Sequence, residues 1–300
     1  KTCKFCQRHR QEVAQAQAER SRPSTPGGQK KAGAQRRDLL DGSLRIDKSF
    51  GLSPVLHQHI TGSAHYKELL TLSSLREVIN EVDQYVDSIE PYAKNSQMTP
   101  SPLFCCLFRT FSIGIDAADL LQLINHASNV YVRCLGILFV RFGLPADQLW
   151  PWLGEYALDD EEVWISKESD AEKMTIGELV EYVLNQDKYF SVVLPRLPMS
   201  VKRLVQEKLA PVPQYRKRAR ANSEIVKAYR REGTRVEALV DGQWLAGRTV
   251  DVVEDVPSRV KVLVRFQDDS EEAVHIGKVI LGEATNRGRS RSLSRGRQGS

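Results

Sequence analysis

The sequence predicts a mainly α-helical fold: a multi-helix globular domain over residues 44–210, then a small all-β barrel over 232–283, with disordered basic ends at 1–43 and 284–300. Three observations carry this. Segments 103–111 and 130–142 are apolar on nearly every side, the pattern of helices that sit inside a core. After residue 231 the apolar period falls from about 3.6 to 2, the signature of strands. Lys and Arg gather at the two ends and at Arg216-Lys217-Arg218-Ala219-Arg220, around a near-neutral body.

Residues 11–31 are Gln, Ala, Arg, Ser, Pro and Gly with almost no large apolar side chain, too little to offset chain entropy. The first helical stripe is Leu75, Val78, Ile79, Val82, Tyr85, Val86 and Ile89; Ser73 or Ser74 is placed to cap it and Pro91 to stop it. After Pro100 and Pro102 comes 103–111, ended at Gly114. Asp116 caps 117–126, and Asn129 opens 130–142, closed by Gly143 and Pro145. Trp150 and Trp152 flank Pro151 and brace a turn in the core. An acidic loop follows at 159–162, Thr175 caps 176–185, Pro195 and Pro198 break the chain, and 201–209 is a last short helix. Pro211 and Pro213 open a basic linker, 211–231, whose arginine cluster reads as a nuclear-import signal. Segments 234–240, 244–254, 259–267 and 273–281 then alternate or are Val-rich, with turns at Asp241-Gly242, Pro257-Ser258 and Asp268-Asp269. So many short strands favour a closed barrel, because closure removes exposed edges.

With 41% hydrophobic and 27% charged residues the chain as a whole is neither disordered nor membranous. Its longest apolar run, 134–140, is far short of the ~20 residues of a membrane-spanning helix. It opens at Lys1 with no signal peptide, and the expectation is that the true N-terminus is missing. Of five cysteines, Cys105, Cys106 and Cys134 lie in apolar segments, which fits reduced core thiols and a cytosolic or nuclear setting. The formal net charge of +5, concentrated in the arms, suits nucleic acid or acidic partners. There is no phosphate-binding loop, dinucleotide fingerprint, metalloprotease helix or nucleophile elbow; no catalytic residue and no cofactor is expected.

Cys3, Cys6 and His9 have part of a zinc-knuckle spacing, but a closed site takes four ligands and no second pair lies nearby. Cys105, Cys106, Cys134 and His126 carry the groups of a nucleophile and its base, yet on apolar helices thiols usually pack; His126 reads as a buried polar contact or a helix C-cap. Arg133 and Arg141 are eight residues apart, roughly 80° round a helix, so both can emerge on one edge. Guanidinium groups there can engage carboxylates, with Asp159, Asp160, Glu161 and Glu162 the obvious partners. Two readings stay open, an internal lock and a docking site for another protein. A divalent cation at the acidic loop is disfavoured, since no glycine-bearing calcium-loop pattern surrounds it.

Phe104-Cys105-Cys106-Leu107, the run from His126 to Gly136, Phe139-Val140-Arg141 and Leu149-Trp150-Pro151-Trp152 together resemble the pre-mRNA-splicing factor 38 family. So do Met174-Thr175-Ile176-Gly177-Glu178, Phe190 and Leu194-Pro195-Arg196-Leu197-Pro198, in order, over about residues 52–209. The resemblance implies an all-helical, non-catalytic scaffold in the nucleus. It would join the spliceosome with the tri-snRNP, act during activation and bind other splicing proteins, with weak RNA contact through the basic arms and no membrane or small-molecule substrate.

The C-terminal barrel departs from that family. It resembles the Tudor and SH3-like class, in which aromatic rings cage a methylated cation. Trp244 and Phe266 are its possible walls, with Asp268 or Asp269 as counter-charge. Two rings are fewer than such cages use, so binding of protein or RNA backbone is the stronger reading. A methyl-Arg or methyl-Lys reader in RNP or chromatin assembly is the alternative. The Arg/Ser-rich tail, with Ser290, Ser292 and Ser294, suits RNA phosphates or phosphorylation.

Overall fold

Side-chain caps fix where the helices of the first unit begin. The computed structural model describes residues 44–46, 50–166, 172–254 and 260–282; the N-terminal segment with Cys3, Cys6 and His9, the Pro257-Ser258 turn and the Arg/Ser tail lie outside the described residues. Ser53, Ser63, Ser74 and Ser101 accept amides at the starts of α1 (Pro54–Gly62), α2 (Ala64–Leu69), α3 (Leu75–Tyr85) and α4 (Pro102–Ile113). Asp116 and Asn129 do so for α5 (Ala117–Ile124) and α6 (Val130–Gly143). Each cap satisfies a donor that the helix itself cannot. α7 (Leu149–Leu153) lies between two 3-10 turns. A short hairpin, β1 (Glu162–Trp164) with β2 (Lys173–Thr175), leads into α8 (Ile176–Asn185), capped by Thr175 with Glu178 in return. A second hairpin, β3 (Lys188–Tyr189) with β4 (Val192–Val193), precedes α9 (Met199–Leu209).

α6 is the axis of this unit. It is buried from Tyr131 to Gly143, with α3, α4, α5, α7 and α8 packed round it. At Gly136 an added Cβ would lie 2.9 Å from the Ile124 amide nitrogen, so the missing side chain lets the end of α5 touch α6. Trp152 is buried and Trp150 half-buried, its ring against Gly154, as the turn-bracing reading of the pair expects.

Two elements differ from the sequence reading. α1 and α2 were not foreseen, because Leu56, Ile60, Tyr66 and Leu69 are spaced among His57, Gln58, His59, Lys67 and Glu68 with no continuous stripe. α3 stops at Tyr85 instead of running to Ile89, since Ser88 bridges Ser166 and the Ile89 amide donates to Ile165 O at 3.0 Å. Pairing with a distant segment outweighs the local period there.

The stretch read as a linker is likewise ordered. It forms α10 (Val212–Glu224) and α11 (Val226–Tyr229), with Val212, Asn222 and Tyr229 buried. Pro213 falls in the first turn, where a missing N–H costs nothing. Where a small closed barrel is expected, five antiparallel strands follow as a sheet whose end strands do not pair among the described residues: β5 (Arg235–Val240), β6 (Gln243–Glu254), β7 (Val260–Phe266), β8 (Glu271–His275) and β9 (Val279–Leu281). Their order is β8-β7-β6-β5-β9. Asp241 and Gly242 both take positive φ, 49° and 81°, as a tight hairpin with right-twisted strands requires. Val236, Ala238, Val262, Val264, Val274, Ile276 and Val279 form the sheet's own core with Tyr229 of α11.

Candidate functional site: an arginine clamp behind an acidic lip

Arg133 stands in the first turn of α6 and is fully buried. An unpaired guanidinium there would carry a large desolvation cost. Its donors are met: Nε donates to Ile124 O at 2.9 Å, Nη1 and Nη2 to the two carboxylate oxygens of Asp159, and Nη1 also to Glu161 Oε2. Asp159 is buried as well, whereas the Glu161 side chain is 31% exposed. Burial lowers the Arg133 pKa, but the hydrogen bonds and charge of Asp159 and Glu161 outweigh it and hold the group above its ordinary value.

The clamp continues into the backbone. The Glu161 amide donates to Asp159 Oδ1 at 3.2 Å, and the carbonyls of Asp159 and Glu161 accept from Gly177 N (2.8 Å) and Ile176 N (2.9 Å), the first amides of α8. A Cβ on Gly177 would lie 2.6 Å from Ala157 O, so glycine is what lets α8 seat on this segment. The acidic run is thereby sorted by direction. Asp159 and Glu161 turn inward to Arg133, while Asp160 and Glu162 face solvent. In β1, Glu162 and Trp164 point out and Val163 in. Lys173 on β2 donates to Glu162 at 2.8 Å and sits 4.3 Å from the Trp164 ring centre. The result is an outer lip of Asp160, Glu162 and Trp164.

Arg141 does not join it. It is buried two turns further along α6, donating through Nε to Val183 O and through Nη2 to Pro195 O, both at 2.7 Å. Burial pushes its pKa down to about 10, with Asp187 acting against the shift. Of the two readings, Arg133 with Asp159 and Glu161 makes the internal lock, whereas the expectation that both arginines emerge on one edge is corrected: α6 is enclosed on all sides, so each guanidinium ends in its own interior socket. Trp164, Lys173 and Gly177 escaped the sequence reading as site residues. The in-out alternation of Glu162-Val163-Trp164 was the available signal for the first.

The aromatic site on the sheet is also corrected. Phe266 lies directly across from Gly247, three residues from Trp244 on β6. With side chains alternating at each residue, an odd offset puts the two rings on opposite faces. Phe266 packs on the sheet's core, whereas Trp244 is 40% exposed and lies under Arg218 of α10, 5.1 Å from its ring centre. Asp268 Oδ1 accepts from Ser270 N and Oγ, closing its own turn.

Cys105, Cys106 and Cys134 are buried free thiols, and His126 Nδ1 accepts the Asn129 amide at 3.2 Å. Among the described residues no group of three or more His, Cys, Asp or Glu is placed to hold a metal ion. Burial pushes Cys105 from 9.0 up to about 11, and Cys106 and Cys134 further; burial first, then Cys134 and Asp87, raises Tyr131 to about 12. The unfolded thiols ionise near 9 while the folded ones keep their protons, so the unfolded state binds fewer protons and stability falls as pH rises through this window. The slope is at most about 1.4 kcal/mol per pH unit per thiol. Thermal unfolding followed from pH 9.0 to about 11 should show this decline; a flat melting temperature would contradict it.

The fold defines the class: a mainly α-helical domain organised on one buried helix and its arginine clamp, joined through α10 to a small sheet. The chain belongs to the PRP38 family, whose sequence model matches residues 45–207. It is 28% identical over 187 residues to human pre-mRNA-splicing factor 38B, covering 56% of this chain and 34% of that protein. It is 32% identical over 158 residues to Arabidopsis thaliana pre-mRNA splicing factor SR-like 1, covering 53% and 40%. The chain thus spans little more than a third of the length of these relatives. A chain of the Snu23-Prp38-MFAP1(217-258) crystal structure from Chaetomium thermophilum aligns over 56% of this chain and 88% of its own, with 18% identity and a TM-score of 0.47.

Proposed function

We propose that this protein is a non-enzymatic pre-mRNA splicing factor of the nucleus, a scaffold that associates with the tri-snRNP and is required for spliceosome activation. The observation that carries this is the PRP38 family match across the whole helical unit, together with the splicing-factor names of its relatives. The chemistry of the unit supports docking: Arg133 and Arg141 are committed to internal partners. In the outward lip, exposed Trp164 is of the residue type that anchors protein interfaces, and Asp160 and Glu162 beside it can steer a basic partner. A partner helix or strand with basic side chains flanking an apolar residue is its natural counterpart. Affinity capture from nuclear extract tests the reading. The intact chain should retain tri-snRNP proteins, and Trp164→Ala with Glu162→Lys should lose part of that set; retention of none by the intact chain would sink it.

A further inference from the structure

Helix α10, which joins the sheet to the helical unit, also carries a serine open to modification. Ser223 is exposed in the last turn, where its hydroxyl donates to Ala219 O at 2.8 Å. Arg220 stands three residues before it and Arg218 five. Among the described serines and threonines, no other has arginine at both spacings. Cations at set spacings from a hydroxyl are the charge pattern by which kinases with acidic substrate clefts choose their serines. We propose that Ser223 is a phosphorylation site for such a kinase and that its phosphate releases the sheet from the helical unit. Ser223 Oγ attacks the γ-phosphorus of the nucleoside triphosphate that the kinase brings. One P–O bond forms as the bond to the leaving nucleoside diphosphate breaks, and the hydroxyl proton passes to the kinase's base.

The site adjoins the joint itself. Asn222, the residue before, donates to Ile276 O and Val279 O, both at 2.8 Å. A Cβ on Gly277 would lie 2.4 Å from Tyr215 O, so α10 rests directly on the turn between β8 and β9. A phosphate loosens that contact in two ways. Its negative charge, in the last turn, opposes the negative end of the helix dipole and lies beside Glu224. Its nearest cation along the helix is Arg220, one turn back. Burial raises the Asp160 pKa, and the charge of Arg220 acts against that shift, which ties α10 to the helical unit. Turning to the phosphate, Arg220 gives up this tie. Exposed Lys227 on α11 screens the phosphate without restoring it. Arg218, meanwhile, donates to Gly277 O at 3.0 Å and lies over the Trp244 ring. The kinase therefore reads both arginines in the open joint, and phosphorylation selects that state.

Incubating the full chain with magnesium ATP and a protein kinase of arginine-directed specificity, then mapping phosphate by mass spectrometry and backbone opening by hydrogen exchange, tests both halves. Phosphate should appear on Ser223 and be missing there in Ser223→Ala. Arg220→Gln, a change at an exposed position, should slow the modification about tenfold through lost recognition. Asn222→Ala, which opens the joint, should be modified faster than the intact chain. In the phosphorylated chain, the β9 amides paired with β5 should exchange about tenfold faster while those of α6 keep their protection. No phosphate on Ser223 in either the intact chain or Asn222→Ala would overturn the proposal. So would an unchanged rate in Arg220→Gln, or a phosphorylated chain whose β9 protection is equal to or above that of the unmodified one.

Discussion

Arg133→Ala is expected to destabilise the protein by about 3–5 kcal/mol, the cost typical of removing one partner from a buried ion pair. The loss comes less from the missing bonds than from what remains. Asp159 would stay buried without the guanidinium that meets both its carboxylate oxygens, and the Ile124 carbonyl would lose the guanidinium Nε. Glu161, 31% exposed, can turn to water and contributes little to the cost. Arg133→Lys keeps the charge but not the fork that reaches two carboxylates and a carbonyl together, so an intermediate loss is expected. Arg133→Met with Asp159→Leu should recover much of the single-variant loss, since two apolar side chains avoid the desolvation that the pair must offset. Urea unfolding gives these differences. A loss under about 1 kcal/mol for Arg133→Ala would mean that the clamp is not what the geometry indicates.

Asn222→Ala is expected to cost about 1–3 kcal/mol, because the buried carbonyls of Ile276 and Val279 each lose a donor, Ile276 O keeping the Val279 amide. Asn222 Nδ2 donates to Ile276 O, in the first residue of the 3-10 turn between β8 and β9, and to Val279 O just past its end, both at 2.8 Å. It is half of a bracket that fixes the sheet to the helical unit. Arg216 on the same helix donates to Ala157 O and pairs with Glu181 at 2.9 Å, while Arg218 donates to Gly277 O at 3.0 Å. Hydrogen exchange would locate the effect: β9 amides paired with β5 should lose protection before those of α6. Uniform loss across both units would show instead that Asn222 holds nothing locally.

The sequence made the axis of the fold legible because α6 is apolar on every side and its caps are the standard ones. It made α10 illegible for a related reason. Arg216, Arg218 and Asn222 read as solvated linker chemistry, whereas their partners, Ala157, Gly277 and Ile276, lie more than fifty residues away, and no local pattern encodes a contact at that separation. The acidic run was recognised as arginine's partner, but which carboxylates turn inward depends on the two-residue alternation that begins at β1 and on Gly177 admitting α8. The proposed aromatic cage failed on the same kind of fact: Trp244 and Phe266 look adjacent in a list of barrel aromatics, and one residue of strand parity separates their faces. Arg133 and Arg141 read in the sequence as groups for an internal lock or a docking site, yet an arginine in a helix with no polar face has nowhere to go but inward.

A protein required for spliceosome activation, as proposed, should leave spliceosomes assembled but inactive when it is removed. The most direct measurement is splicing of a labelled pre-mRNA in nuclear extract depleted of the protein, with native gels to resolve the complexes. Complexes containing the tri-snRNP should accumulate before the first chemical step, and the added protein should restore splicing. Spliced product forming at the normal rate in the depleted extract would contradict it.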